Sequence, residues 1–225
     1  MDSEPKLKYF WIISSIFVAV LLIANTTASK LVSLGSFVVA GGIIIFPISY
    51  IFGDVLTEVY GYARSRKVIW TGFLCLMLMS LVYWIVGLMP YPSFWQNQQA
   101  YDAILGFVPR IVLASIIAYF VGEFSNSYVM AKMKIFSRGR HLWMRTIGST
   151  IVGEGIDSVI FGFIAFYGVI PLEGLFLAIL SGYILKVLYE IIATPFTYII
   201  VNFLKRAEGV DVYDNKTNFN PFNVK

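Results

Sequence analysis

Six acidic residues stand in stretches that are otherwise apolar: Asp54, Glu58, Glu123, Glu154, Asp157 and Glu190, with Lys186 among them. Their spacing is helical. Asp54 and Glu58 are four apart, Glu123 and Asn126 three, Glu154 and Asp157 three, Lys186 and Glu190 four, so each pair shares one helix face. A charge at the centre of a bilayer-spanning helix costs at least about 2.5–3.5 kcal/mol, so such faces turn inward. In a low-dielectric pocket a carboxylate is a good acceptor for paired N–H donors, such as the edge of a guanine-like heterocycle, and it also attracts a cationic amine. An anionic substrate is disfavoured. Phe161, Tyr119 and Tyr189 offer ring faces on which a flat molecule could stack. The structural alternatives are a Lys186–Glu190 ion pair and hydroxyl partners for Asp54 and Glu58. With only Lys186 and the peripheral Arg110 available inside the bundle, an excess of carboxylates remains, to be protonated or offered to a ligand.

The elements that must position these residues are membrane-spanning helices. The 225 residues are 58% hydrophobic and 13% charged, with mean hydropathy +0.76, where a soluble domain is about one-quarter charged. Spans need ~20 mostly apolar residues, and six candidates run over 8–28, 40–62, 67–89, 107–131, 145–170 and 175–204. The expected fold is therefore an all-α integral membrane bundle of six transmembrane helices in one domain, residues 1–204. A polar, loosely ordered tail follows over 205–225. Of the 17 basic residues, all but Lys30, Arg110 and Lys186 fall in loops on one side of this arrangement. The bias of Lys and Arg toward cytoplasmic loops predicts both termini inside. Trp11, Trp70, Trp84, Trp95 and Trp143 lie near proposed helix ends, as interfacial anchors do. The outward connection PYPSFWQNQQAYDAILGF is either a short lid or a loop packed at the membrane surface. Pro47 and Pro195 fall inside the second and sixth spans, where each removes a backbone hydrogen bond and favours a kink.

Several classes are excluded. The net charge of +4 is spread over short loops rather than gathered in a patch, so no nucleic-acid partner is expected. Cys75 is the one cysteine, which rules out an intrachain disulfide and leaves a metal site short of ligands. The N-terminus shows no small-residue cleavage site after a short apolar core and reads as a retained first helix. Asp54 and Asp157 do not sit in the G-x-G-D setting of an intramembrane aspartyl protease, since Ile51 occupies the first glycine position. His141, the single histidine, lies in a loop, away from any serine or zinc chemistry in the membrane. The chain is not read as an enzyme, and no cofactor is expected.

An internal echo adds to this. VGEFSNS (Val121–Ser127) and VGEGIDS (Val152–Ser158) share V-G-E-x-x-[N/D]-S, and FGDVLTE is a looser relative. Glycine permits close helix approach and the acid points into the space so formed; repeated elements around midplane polar sites are common in transporters.

Three stretches resemble a known family. ANTTASKLV (Ala24–Val32), FPISYIFGDVLTEVYGYARSRKVIW (Phe46–Trp70) and IVGEGIDSVIFGFIAFYG (Ile151–Gly168) are similar to the VUT family, also called the queuosine precursor transporter family. The resemblance covers most of residues 20–200, and P-x-x-[YF]-x-x-x-D-x-x-x-E-x-[YF]-G followed by Arg and Lys is its most specific motif. It implies a six-helix bacterial inner-membrane importer of 7-deazaguanine bases (7-cyano-7-deazaguanine, 7-aminomethyl-7-deazaguanine or queuine) for tRNA modification. It also implies a fold like the substrate-binding subunits of ECF vitamin transporters, working without an ECF module. By resemblance, Asn25, Thr26, Asp54, Glu58, Glu154 and Asp157 are site residues; the polar stripes add Glu123, Asn126, Lys186 and Glu190, and stacking adds Phe161. Ala24 and Ala28 have the A-x-x-x-A spacing of ECF contacts but read as ordinary close packing. The alternative is a substrate-binding subunit for a vitamin or another purine-like compound that needs an ECF module. A homo-oligomer is compatible with either reading.

Overall fold

The computed structural model describes residues 7–34, 37–106 and 108–223; Lys6 and Lys225, counted above among the cytoplasmic bases, lie outside them. The chain runs α1 (Phe10–Thr27), an antiparallel hairpin of β1 (Leu31–Leu34) and β2 (Phe37–Ala40), α2 (Phe46–Tyr60), α3 (Tyr62–Leu88), α4 (Gln98–Leu105), α5 (Val108–Phe136), α6 (Leu142–Phe166) and α7 (Leu172–Glu208). In the hairpin Leu31 pairs with Ala40 and Leu34 with Phe37. Among the described residues five helices are long and apolar enough to cross a membrane: α1, α3, α5, α6 and α7. Their outer faces carry exposed Leu74, Leu177, Ile192 and Ile199, among many others. That is the reverse of a water-soluble surface and suits lipid.

The second expected span is corrected. Residues 40–45 complete the hairpin and form a tight 3₁₀ turn over Gly41–Ile44, and α2 starts only at Phe46. Its 15 residues reach about 22 Å at 1.5 Å per residue, short of the ~30 Å hydrocarbon core. The helix needs no lipid-facing surface, because every residue from Gly53 to Tyr60 is buried. It lies inside the bundle, against α1, α3, α5 and α7. Pro47 is likewise corrected: it occupies the first turn of α2, where the missing N–H would have no helical partner and no kink results. Pro195 does lie inside α7. The hydroxyls of Thr194 and Thr197 bond the carbonyls of Glu190 and Ala193 around it, and the helix continues.

One residue turns α2 into α3. Gly61 has φ +84°, open to glycine and strained for other residues, and a side chain there would run into Val212. Val212 belongs to the C-terminal segment, which is not loose. After α7 the chain folds back: Tyr62 N–H donates to Asp214 (3.0 Å), Arg66 donates to the carbonyls of Asn218 and Asn220 (2.7 Å each), and Trp70 Nε1–H donates to Pro221 O (2.8 Å). Trp70 is thus a clasp for the tail rather than a lipid anchor, with its ring against Phe73, Phe120 and Phe222. The polar composition suggested disorder, but the segment's own backbone acceptors are satisfied by buried donors on α3. The opposite chain end joins it, since the N–H groups of Lys8 and Tyr9 both donate to the Glu208 carboxylate.

The α5–α6 pair is the most extensive helix contact, and the repeated motif is its seam. A side chain on Gly122 would meet Asp157 Cβ at 2.8 Å and Gly153 O at 2.9 Å; one on Gly153 would meet Asn126 Cβ at 2.7 Å and Gly122 O at 2.9 Å. Gly122 corresponds to Gly153 and Asn126 to Asp157 in the two copies, so the contact is reciprocal, with local two-fold character. The echo in the sequence is a packing device: two antiparallel helices touching glycine to glycine. We expect Gly153→Ala to lower the melting temperature in detergent by the equivalent of about 1–3 kcal/mol, the usual cost of overpacking. Gly174→Ala, with no neighbour within 4 Å of the new methyl, is expected to leave it unchanged or raise it. Equal melting of Gly153→Ala and wild type would refute the seam.

Candidate functional site

All six acids are buried, Asp54, Glu58 and Glu123 completely. The fold divides them into three groups, and cations make the division.

Glu58, one turn from the end of α2, is closed by bases. Arg145 on α6 donates through Nη2 to Oε1 (2.8 Å) and through Nε to Oε2 (3.2 Å), and Lys205 on α7 donates to Oε1 (2.6 Å). Lys134 on α5 stands 3.6 Å from the same oxygen and donates to the Glu58 carbonyl (2.6 Å). Lys134 and Lys205 also hold Asp211 of the tail, at 2.6 and 3.0 Å. Arg145 is further held by Ser137 Oγ and the Arg140 carbonyl. Glu58 therefore belongs to a structural cluster away from the cavity described below. The expectation of one lysine and one peripheral arginine inside the bundle is corrected accordingly. Long basic side chains reach in from helix ends along their apolar stems, which residue positions alone do not reveal.

Asp157 and Glu154 on α6 share Lys186 of α7. Its Nζ lies 2.7 Å from Asp157 Oδ2, a hydrogen bond, and 2.9 Å from Glu154 Oε2, an ion pair without hydrogen-bond alignment. The structural alternative of a Lys186–Glu190 ion pair is not what forms, because Lys186 crosses to the neighbouring helix.

Asp54, Glu123 and Glu190 make the third group. Asp54 accepts from Asn126 Nδ2 (2.7 Å) through Oδ1. Glu123 lies against Gly53, whose missing side chain makes room for the carboxylate, and Ser127 Oγ donates to it weakly at 3.5 Å. Asp54 Oδ2, Glu123 Oε2 and Glu190 Oε1 have no hydrogen-bond partner.

Above this layer opens a cavity of about 620 Å³, bounded by α1, the hairpin and its following turn, α5, α6 and α7. Its volume falls within the roughly 300–1,000 Å³ of small-molecule sites. Of the residues singled out in the sequence, Asn25, Asp157, Phe161 and Lys186 line it, and Glu154 sits just beneath through Lys186. Asn25 anchors its Nδ2 on Leu21 O (2.9 Å) and leaves Oδ1 unpartnered. Thr26 faces α3 instead, beside Met79 and Tyr83. Asp54, Glu58, Glu123, Asn126 and Glu190 do not line the cavity. Ala24 and Ala28 do, packed against the Gly42 turn. Phe46, Phe166, Ser115, Ser158 and Ser181 complete its wall, and the Lys186 ammonium stands 5.0 Å from the Phe46 ring centroid. Sequence reasoning missed Phe46 because nothing marks it out from other apolar residues; its place at the N-terminus of α2 becomes visible only once the hairpin is recognised. Tyr119 is buried beside Tyr50 and Phe73, away from the cavity, and Tyr189 does not line it. The segment with α4 packs along α3, where Tyr101 donates to Tyr83 O (3.0 Å), and contributes no residue to the cavity lining.

Comparison with known proteins places this geometry. Residues 40–200 match the family model described as "Putative vitamin uptake transporter". A Bacillus subtilis (strain 168) protein named "Probable queuosine precursor transporter" is 33% identical over 176 residues, 78% of this chain and 77% of that one. An Escherichia coli (strain K12) protein named "Queuosine precursor transporter" is 27% identical over 158 residues, 70% and 68% of the two chains. A Haemophilus influenzae relative, also named "Probable queuosine precursor transporter", is 28% identical over 146 residues, 61% and 58%. All three are named as transporters, none as an enzyme. No solved structure matches.

Two outcomes follow for the Glu58 cluster. Glu58→Gln, which leaves buried bases without their counter-charge, is expected to destabilise the fold by about 3–5 kcal/mol, read as detergent melting or loss from the membrane; a stable, well-expressed variant would overturn the structural role. Partial burial pushes the Asp211 carboxyl up, but hydrogen bonds from Lys134 and Lys205 outweigh this and hold it below its ordinary value. Its contribution to tail docking is therefore complete above the ordinary carboxylate range and is lost as pH falls through the depressed value. Pepsin cleavage of the tail is expected to quicken as pH falls through that range in the wild type, whereas Asp211→Asn, with no carboxyl to titrate, is expected to lose this pH dependence. Because Asp211 is 41% exposed, the effect stays within about 1 kcal/mol.

Proposed function

The chain belongs to the family described as putative vitamin uptake transporter, and on that premise we propose that it imports queuosine precursors, binding a 7-deazaguanine base in the cavity between α1, α6 and α7. The observation that carries this reading is the Asp157–Lys186 pair at the cavity wall, 2.7 Å apart. A guanine edge presents an exocyclic amine, N1–H and O6 in a row: two donors, then an acceptor. A carboxylate beside an ammonium is its complement, two acceptors and then a donor. Asp157 takes the two N–H groups, Lys186 the carbonyl oxygen, and Glu154 keeps Lys186 charged and in place. Phe46, Phe161 and Phe166 supply ring faces, and stacking of a base on an aromatic side chain contributes about 1–3 kcal/mol. Asn25, with its free Oδ1, takes a further N–H at the rim. Hydrogen bonds to charged groups contribute about 1.5–3 kcal/mol each, so this small polar set within an apolar wall accounts for both affinity and orientation.

The topology supports a six-crossing arrangement with both termini on the cytoplasmic side of a bacterial inner membrane. The N–H groups of Lys8 and Tyr9 bond Glu208 at the far end of α7, so the two chain ends lie together, and an even number of crossings is required. The five long helices give an odd number; buried α2, reversing at Gly61, supplies the sixth. The end that carries both termini also carries Arg66, Lys134, Arg145 and Lys205, in keeping with the excess of Lys and Arg in cytoplasmic segments.

The test is complementation. In a bacterium that can neither make nor import the precursor, the wild-type chain is expected to restore queuosine in tRNA when a 7-deazaguanine base is supplied. Asp157→Asn and Lys186→Met are expected to weaken binding about 10- to 100-fold, the equivalent of one to two such hydrogen bonds, at wild-type membrane abundance. Failure of the wild-type chain with every 7-deazaguanine base would refute the reading. Uptake that appears only with an added energy-coupling module would replace it with that of a substrate-binding subunit.

A further inference from the structure

The carboxyls beneath the cavity outnumber the cations. In the middle of the bundle stand Asp54 on α2, Glu123 on α5, Glu154 and Asp157 on α6, and Glu190 on α7. Lys186 is the one base among them within the described residues, and it is engaged by Glu154 and Asp157. Arg145, Lys134 and Lys205 are committed to Glu58 at the end of α2. Asp54, Glu123 and Glu190, each at most 2% exposed, are left with no base.

Hydrogen-bond accounting sharpens the imbalance. Asp54 Oδ2, Glu123 Oε2 and Glu190 Oε1 are acceptors without a donor, and so is Oδ1 of fully buried Asn126. The Asn126 amide is fixed in this group by its own bond to Asp54. The Tyr119 hydroxyl stands beside the Glu123 carboxylate, and the hydroxyls of Tyr50 and Thr150 have no hydrogen-bond partner. Buried carboxyl oxygens without a donor, as on Asp54 and Glu190, are satisfied by adding hydrogens, since a protonated carboxyl donates one bond and accepts another. An isolated ionised carboxylate in such surroundings costs far more than a neutral one.

We propose that Asp54, Glu123 and Glu190, with Asn126, form a proton-binding site that couples the transporter to an inward proton gradient; the coupling rests on the transport reading above, whereas the proton site itself does not. Lys186 links the two sites. It shares a helix face with Glu190, one turn away on α7, and bonds Asp157 across the gap to α6. With Glu190 protonated, Lys186 stays on Asp157 and Glu154 and completes the edge that takes the base. When the proton leaves to the cytoplasm, the Glu190 carboxylate competes for Lys186 and draws it off Asp157, and the base loses its acceptor-acceptor-donor edge. A proton taken from the outer side is thus returned inside with each base. The charged and titratable groups facing this switch are Asp54, Glu58 and Tyr50 on α2, Glu123 and Tyr119 on α5, Glu154 and Asp157 on α6, and Lys186 on α7.

Two measurements on the full-length chain test this. Infrared spectra of the purified protein at neutral pH are expected to show a buried carboxylic-acid carbonyl band that diminishes in Asp54→Asn and again in Glu190→Gln; its absence from wild type overturns the proposal whatever the substrate. In proteoliposomes with 7-cyano-7-deazaguanine outside, an inward gradient of one pH unit is expected to accumulate the base about tenfold per coupled proton, because tenfold in concentration balances tenfold in proton activity. A sodium gradient is expected to accumulate none. Glu190→Gln is expected to equilibrate the base without accumulating it. Wild-type uptake indifferent to the pH gradient, or driven by sodium, overturns the coupling. A carboxylic-acid band that responds to the substitutions in a protein that moves no 7-deazaguanine base upholds the proton site and refutes the substrate reading instead.

Discussion

Carboxylates cannot face hydrocarbon, and the architecture follows from that. Asp54 and Glu58 both sit on the second half of α2, so that half, Gly53 to Tyr60, is taken out of contact with lipid. The remaining helices do this by surrounding it. Only then can the helix be as short as 15 residues, since a segment wrapped in protein need not match the bilayer's thickness. The hairpin before it and the single-residue reversal after it at Gly61 are the means of inserting such a helix between two that cross fully.

Burial alone does not make these acids equivalent. What distinguishes them is which base each can reach. Near the ends of α5, α6 and α7, three basic side chains bend inward to close on Glu58, joining α2 to those helices and to the C-terminal segment through Asp211. Breaking a buried pair leaves an uncompensated charge, so this end behaves as a fixed base for the bundle. Farther along the bundle Lys186 is shared between two carboxylates, and a large apolar cavity adjoins them. One end is closed by charge, and the other adjoins a cavity.

The repeated V-G-E-x-x-[N/D]-S unit links packing to chemistry. Its glycines bring α5 and α6 into backbone contact, and because the contact is reciprocal, each glycine seats the polar residue of the other copy: Gly122 takes Asp157, and Gly153 takes Asn126. The two copies then diverge in role. In the first, Asn126 turns to Asp54 below the cavity; in the second, Asp157 turns to Lys186 at its wall. The same local geometry supplies one residue to each layer of the site.

Much of this was legible without coordinates. Hydropathy, the helical spacing of the acids and the clustering of bases in alternate loops are properties of neighbouring residues, so, whereas Asn25 was marked only by the family resemblance, the membrane class and the polar faces that carry Asp157 and Lys186 could be read directly from the chain. The start of α2 could not, because an apolar run is equally compatible with helix and hairpin until Gly41 and Gly42 are seen packed against α1. Nor could the partners of the charges. Glu58 and Arg145 are 87 residues apart, and Asp157 and Lys186 are 29 apart; whether a base meets one carboxylate or another depends on how helices cross and how far a flexible side chain reaches. The sequence by itself determined that six carboxylates would be buried. Only the tertiary structure decided which are neutralised, which border a cavity and which lie below it without a base, because charge pairing depends on distance through space, and sequence spacing specifies that distance only within a helix.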